Sequence, residues 1–301
     1  MSFIYYFQTH TTAFLTVSIL LGFMVGSFLN VVILRLPIVM ERNWRRQCLE
    51  LFHETHPKTP TDSPDNPPEA TKDEPFNLMV PRSRCPNCAH TLSLFENIPI
   101  ISYLLLRGRC SACHAPISPR YPLIELLGGV MAGGVAWQFG VSIHTVGALV
   151  FGWALIALAF IDLDHQQLPD EITLPVLWIG LAFNLFGVYA GIEDSIIGAI
   201  FGYGILWSVY QSFRLLTGKE GMGYGDFKLL AMIGAWLGWQ ALPVTILISS
   251  TMGALVGLTL ILLGRHHRNV PIPFGPYLSI AAWIALLWGN DITQWYLGIW
   301  V

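Results

Sequence analysis

Residues 126–161 read LLGGVMAGGVAWQFGVSIHTVGALVFGWALIALAFI, 36 positions without a single Lys, Arg, Asp or Glu. A second uncharged run of the same length extends from Leu229 to Gly264. A bilayer core is crossed by about 20 apolar residues in a helix. Each run therefore holds two spans joined by a tight turn. Gln138-Phe139-Gly140 is the expected break in the first run, and Gly238-Trp239-Gln240-Ala241-Leu242-Pro243 in the second. Hydrocarbon supplies no hydrogen-bond partners for backbone, so the spans must be helices.

Shorter uncharged stretches cover Ile172–Ile192, Ser195–Phe213 and Asn269–Asn290. Thr11–Leu34 ends just before Arg35, the first charged residue. The expectation is an all-α polytopic membrane protein with about eight transmembrane helices. Composition agrees: 53% of residues are hydrophobic and 12% charged, against about 25% charged in soluble domains. The N-terminus lacks a basic stretch and a small-residue cleavage site, so it reads as a retained first span. A net charge of −3 gives no reason to expect a nucleic-acid partner. The lipid bilayer is the expected surroundings.

Orientation follows from Lys and Arg. Eleven of the sixteen lie between Arg35 and Arg120, and the rest are Arg214, Lys219, Lys228, Arg265 and Arg268. The alternate loops near 140, 191 and 241 have none. The positive-inside rule puts 37–120 in the cytoplasm. Three parts result: a first transmembrane helix over 1–36, a cytoplasmic insert over 37–120, and a seven-helix membrane body over 121–301. Within the insert, residues 56–75 are rich in Pro, Asp, Thr and Glu and read as a disordered linker. Residues 82–120 form the compact portion. The chain shows no convincing internal repeat.

The compact portion carries Cys85-Pro86-Asn87-Cys88 and Cys110-Ser111-Ala112-Cys113. Two such turns present four thiolates tetrahedrally to Zn²⁺. A cytoplasmic position argues against disulfides, and so small a fold needs a staple. Four cysteines leave no open coordination position, which favours a structural zinc over a catalytic one. His90 and His114 lie beside the knuckles as alternative ligands. Cys48 is the odd cysteine.

Acids of the membrane body gather at helix ends on one face. Asp162, Asp164 and Asp170 follow one apolar run, and Asp226 precedes another. Ionisable groups at membrane depth are costly and tend to be functional. Metal-free peptide hydrolysis needs a base for water and an acid for the leaving amine. Two adjacent aspartates sharing one proton supply both. Position alone leaves Asp164 and Asp170 as alternatives to Asp162. Asp170 also suits a helix N-terminus, His165 an interfacial place, and Lys228 either a tuning or a headgroup role. Gly221, Gly223 and Gly225 would admit a substrate backbone closely.

Taken together, Asp162…Leu168-Pro169-Asp170 and Gly223-Tyr224-Gly225-Asp226 resemble the type IV prepilin peptidases among the GxGD membrane aspartyl proteases. So do Gly26-Ser27-Phe28-Leu29-Asn30 with Arg35-Leu36-Pro37, Asn97-Ile98-Pro99 through Cys110, and Glu125. The resemblance implies catalysis by Asp162 and Asp226; Gly223, Gly225, Asp164 and Asp170 are expected near the substrate from their own chemistry. It implies a multi-pass protein of the bacterial inner membrane, active at its cytoplasmic face. The substrates would be prepilins, or pseudopilins of type II secretion, cut after a glycine that ends a basic leader. The Cys-bearing insert implies N-methylation of the new terminus with S-adenosylmethionine, whose contacts no motif reveals. Asp164, Asp170, Glu171 and Glu220 would attract the leader. Two other readings use the same residues: a proton-coupled transporter, and a non-catalytic zinc-ribbon adapter.

Overall fold

The computed structural model describes residues 3–55, 76–93, 95–263 and 272–298. The linker expected at 56–75 lies outside them, as do Arg265 and Arg268. Ten α-helices are described: α1 (Phe3–Thr9), α2 (Thr11–Thr55), α3 (Ile101–Leu105), α4 (Arg120–Phe139), α5 (Ile143–His165), α6 (Asp170–Asn184), α7 (Ile192–Thr217), α8 (Tyr224–Leu237), α9 (Leu242–Leu262) and α10 (Gly275–Gly298).

All but α1 and α3 track the eight expected stretches. Both expected breaks occur: Gly140 caps α4 at φ 58°, and Gly238 at φ 80° ends α8 before a 3₁₀ turn over Trp239–Ala241. Among the described residues, four segments are long and apolar enough to cross a membrane: Thr11–Phe52, Ile143–His165, Ile192–Thr217 and Trp239–Leu262. Gly275–Gly289 is a shorter apolar helix. The uncharged stretch 172–192 does not become one span, because α6 stops at Asn184 and a turn fills the interval before Ile192. Helices shorter than the bilayer are tolerable where protein, not lipid, meets their ends.

The first helix also differs from expectation. Instead of ending near residue 36, α2 continues through Pro37 to Thr55. At about 1.5 Å per residue it is about 68 Å long, well beyond a bilayer. Past Pro37 it becomes polar, with Arg45 bonded to Glu41 one turn back at 3.0 Å. Proline removes one hydrogen bond from a helix but does not always end it.

Close glycine contacts set the packing. A Cβ on Gly22 would lie 2.5 Å from the Gly128 carbonyl oxygen, so α2 and α4 touch backbone to backbone. Gly198 and Gly234 do the same for α7 and α8. Small residues allow this approach where lipid offers no hydrophobic drive for association. The centre of the molecule is α8, buried from Leu229 to Trp236. A helix apolar on every side belongs inside a bundle. Trp236 stacks on Phe151 of α5 at 4.9 Å and donates its indole N–H to the Val176 carbonyl of α6 at 2.8 Å.

Asn184 locks that centre. Its amide nitrogen donates to Ser195 Oγ at 2.8 Å and to the carbonyls of Ala235 (3.0 Å) and Trp236 (2.8 Å). Its oxygen accepts from the amides of Tyr189 (2.9 Å) and Ala190 (3.1 Å). One buried side chain thus joins the end of α6, the following turn, the start of α7 and the end of α8.

Candidate active site

Asp162 stands in the last turn of α5, and Asp226 in the first turn of α8. Only 5% and 7% of their surfaces are exposed. The two carboxyls are close enough to interact electrostatically. They come from helices of opposite sense in the chain, one ending and one beginning. The fold therefore brings together the two acids that interrupt the apolar runs.

Asp162 is held by backbone. Asp162 Oδ2 accepts the Gly275 amide at 2.9 Å, at the first residue of α10. A helix N-terminus offers unpaired N–H groups and the positive end of the dipole, which suits a carboxylate. A Cβ on residue 275 would lie 2.6 Å from that oxygen, so only glycine allows the approach. Asp226 stands three residues after Gly223, the residue that caps α8, and its backbone amide donates to the Gly223 carbonyl at 3.3 Å.

The neighbouring acids are already engaged. Arg120 donates two bonds to Asp164, 2.7 Å to Oδ1 and 2.5 Å to Oδ2. It also donates to the Phe160 carbonyl at 3.4 Å. Lys228 bridges both oxygens of Asp170 at 2.7 Å, and Asp170 opens α6. Asp164 and Asp170 thus tie the rim of the site together by ion pairs, and Lys228 faces Asp170. Gly225 packs on Leu168, whose Cβ would lie 2.8 Å from a side chain added there, rather than facing open space. Gly223 is open apart from the Asp226 carboxyl, 3.8 Å from a built Cβ.

In the insert, the four cysteine sulfurs lie within 4.8 Å of one another. Cys85 and Cys113 are 3.8 Å apart, and Cys88 and Cys110 3.9 Å. Thiolates about 2.3 Å from a tetrahedral ion would stand about 3.8 Å from each other. The cluster therefore fits a metal ion. The two knuckles are near copies. In each, the first cysteine's amide donates to a carbonyl five residues on, Cys85 to His90 at 2.8 Å and Cys110 to Ala115 at 2.9 Å. In each, the residue after the second cysteine has positive φ, Ala89 at 56° and His114 at 59°. Bridges Arg84–Thr91 and Arg109–Pro116 close both. A structural repeat exists here that the sequence hides, because only the cysteines and the arginine before each first cysteine are shared.

The knuckle amides aim at sulfur. Those of Cys88 and Asn87 pull the Cys85 thiol down to about 7, and those of Cys113 and Ala112 lower Cys110. Cys88 accepts the His90 amide, yet burial and its sulfur neighbours push it up to about 12. Four thiols cannot all ionise so close together without a cation among them. His90 is turned to Glu96 instead, with Nε2 and Oε2 3.4 Å apart.

Sequence reasoning missed Gly275 and Arg120 as partners of the site. The first has only its place before Pro276 as a signal, a proline just inside a helix start.

Residues 20–139 match the family model for the bacterial Peptidase A24 N-terminal domain, and residues 149–258 match that for the type IV leader peptidase family. The prepilin leader peptidase/N-methyltransferase of Aeromonas hydrophila is 56% identical over 278 residues, covering 92% of each chain. That of Stutzerimonas stutzeri is 52% identical over 292 residues, covering 97% of this chain and 96% of the relative. The Pseudomonas aeruginosa protein of the same name is 52% identical over 293 residues, covering 97% and 96%. No solved structure matches. With both aspartates inside the second matched region and the cysteine cluster inside the first, the chain belongs to the type IV leader peptidase family.

Proposed function

We propose that this chain is an inner-membrane aspartyl endopeptidase that removes the leader from prepilins or pseudopilins and then N-methylates the new terminus. The single observation that carries the proteolytic part is a pair of buried acids, Asp162 and Asp226, at the ends of different apolar helices and near enough to interact electrostatically. Relatives at 50–56% identity bear the name prepilin leader peptidase/N-methyltransferase, and that supports both activities.

The chemistry follows from one proton shared by two carboxyls. The ionised member takes a proton from water as the water oxygen attacks the scissile carbonyl carbon. The protonated member gives its proton to the carbonyl oxygen. As the tetrahedral centre collapses, the amine leaves with a proton returned by the pair. The Gly275 amide orients the Asp162 carboxyl without supplying a proton. A prepilin has a basic leader and an apolar helix, so a bond between them lies at the membrane surface. In this reading all eight segments that were expected to span, short α6 and α8 included, form the membrane body, and Asp162 and Asp226 face the cytoplasm. Cleavage after glycine is the family's habit and is carried over with that reading. Zn²⁺ held by Cys85, Cys88, Cys110 and Cys113 has a structural part, fixing the insert.

The test is leader removal from a prepilin by detergent-purified enzyme, with Asp162→Asn and Asp226→Asn beside it. Loss of cleavage in both variants is expected. Full cleavage by either would refute the assignment.

A further inference from the structure

Between α2, the start of α4 and the thiol-bearing insert lies a cavity of about 640 Å³. Small-molecule sites commonly measure about 300–1,000 Å³. Glu125 of α4 lines it and is 9% exposed. Its carboxyl accepts the Ile100 amide at 2.8 Å. That donor carries no charge, and among the described residues Glu125 has no cationic partner. A buried carboxylate without a counter-charge is costly. Asn30 stands beside it on α2, its amide nitrogen spent on the Tyr121 carbonyl at 3.1 Å. The Asn30 side-chain oxygen has no partner among the described residues. Tyr103 and Tyr121 add aromatic wall.

We infer that this cavity is the binding site for the sulfonium methyl donor, S-adenosylmethionine, with Glu125 as the counter-charge to its sulfonium. The inference rests on the proposed methyl transfer. One uncompensated buried acid for the sulfonium, an amide acceptor, aromatic walls, and Arg35 and Arg84 for a carboxylate match a sulfonium amino acid bearing a purine. Aromatic faces stack on purines, and the Asn30 oxygen accepts from a ligand hydroxyl or amine. In the transfer, the terminal amine's lone pair forms the N–C bond while the S–C electron pair stays on sulfur. The donor leaves as a neutral thioether, and the amine's surplus proton passes to water. The charge that Glu125 attracts is thus present in the donor and absent from the product, so the site releases what it has used.

The experiment measures binding of three ligands to the full chain in detergent micelles by calorimetry: S-adenosylmethionine, its ammonium analogue sinefungin, and neutral S-adenosylhomocysteine. The wild type is expected to prefer both cations over the neutral ligand by roughly tenfold or more, as a charged partner strengthens a buried contact. Glu125→Gln keeps an oxygen for the Ile100 amide and is expected to erase that preference while still binding S-adenosylhomocysteine. Photolabelling of wild type with methyl-tritiated S-adenosylmethionine is expected to mark peptides bearing Tyr103 or Tyr121, a readout independent of any variant's folding. Equal wild-type affinity for all three ligands, a preference that survives Glu125→Gln, or label confined to α5–α10 would each overturn the assignment. If the wild type still methylates processed pilin, such a result removes this site alone. A wild type that neither methylates pilin nor binds any of the three removes the methyltransferase reading beneath it.

Discussion

Gly275 gives its amide to Asp162 across 113 residues of sequence, at 2.9 Å, and leaves no room for a side chain in doing so. The contact fixes the Asp162 carboxyl from the start of α10. Orientation of this kind is where catalytic geometry is lost most easily, since a shift of about 1 Å can cost about a hundredfold in rate. Gly275→Ala is therefore expected to lower kcat for leader removal by roughly ten- to a hundredfold with a smaller change in KM. Steady-state cleavage of a prepilin checks it. Wild-type kcat in Gly275→Ala would show that the contact does not position the carboxyl.

The two aspartates were legible because each interrupts an apolar run, and a charge at that depth stands out against Ile161 or Leu229. Gly275 was not, because its importance exists only once α5 and α10 meet. The same holds for Arg120 and Lys228. Sequence shows the charges of Asp164 and Asp170 as apparently available, whereas tertiary contact has already neutralised them. The extent of α2 was hidden because the uncharged run marks only what hydrocarbon can cover and ends at Arg35, while helical backbone can continue beyond it and past a missing hydrogen bond. The cut of 172–192 into a helix and a turn was equally hidden, because it depends on what Asn184 finds at the end of α8.

Asn184 makes five hydrogen bonds in a buried setting, three as donor and two as acceptor. Asn184→Leu strands the Tyr189 and Ala190 amides and the α8 carbonyls without partners. Each buried orphan costs about 1–3 kcal/mol, and relaxation recovers part. A loss of about 2–4 kcal/mol is expected, read as a fall in the thermal or denaturant midpoint in detergent. A variant as stable as wild type would show that Asn184 is not the staple of α6, α7 and α8.

Glu96 ties the second knuckle to the preceding turn. The Ser111 hydroxyl, then the Ser93 amide at 2.7 Å, hold its carboxyl down at about 2 from an ordinary 4.5. A depressed carboxyl favours the folded state above its unfolded value and loses that contribution as protons return. The insert should therefore be fully supported above about pH 4.5 and loosen progressively between there and pH 2. Hydrogen exchange of insert peptides across that window checks it. Glu96→Gln should flatten the part of the pH response that Glu96 causes, leaving any contribution from protonated thiolates. Identical profiles in the two proteins would remove Glu96 from the account.

Metal removal separates the insert from proteolysis. The sulfur positions match tetrahedral ligation, and small metal-held folds unravel when the ion is withdrawn. Purified protein is expected to carry about one zinc per chain, following the one cluster found among the described residues. Cys85→Ser with Cys110→Ser should abolish it and make the insert sensitive to trypsin. Cleavage of the leader should persist, because no thiol touches the aspartate pair. Normal zinc content in the double variant would refute the site.

The arrangement of charges narrows how a basic leader could be drawn in. Asp164 and Asp170 are paired with Arg120 and Lys228, so they present dipoles rather than free charges. Glu171 and Glu220, both exposed, have no ion pair among the described residues. Unpaired charges steer a ligand over about a Debye length, about 10 Å at 0.1 M salt, and added salt shortens that reach. Glu171→Gln with Glu220→Gln is expected to lower kcat/KM for a prepilin about three- to tenfold at low ionic strength. The deficit should shrink at high salt, where the wild type loses the same advantage. Neutralising Asp164 should behave otherwise: it frees Arg120, repels the leader and loosens the contact between α4 and α5, so thermal stability falls with activity. A Glu171→Gln, Glu220→Gln enzyme whose deficit is the same at every salt concentration would locate the loss in contact rather than steering.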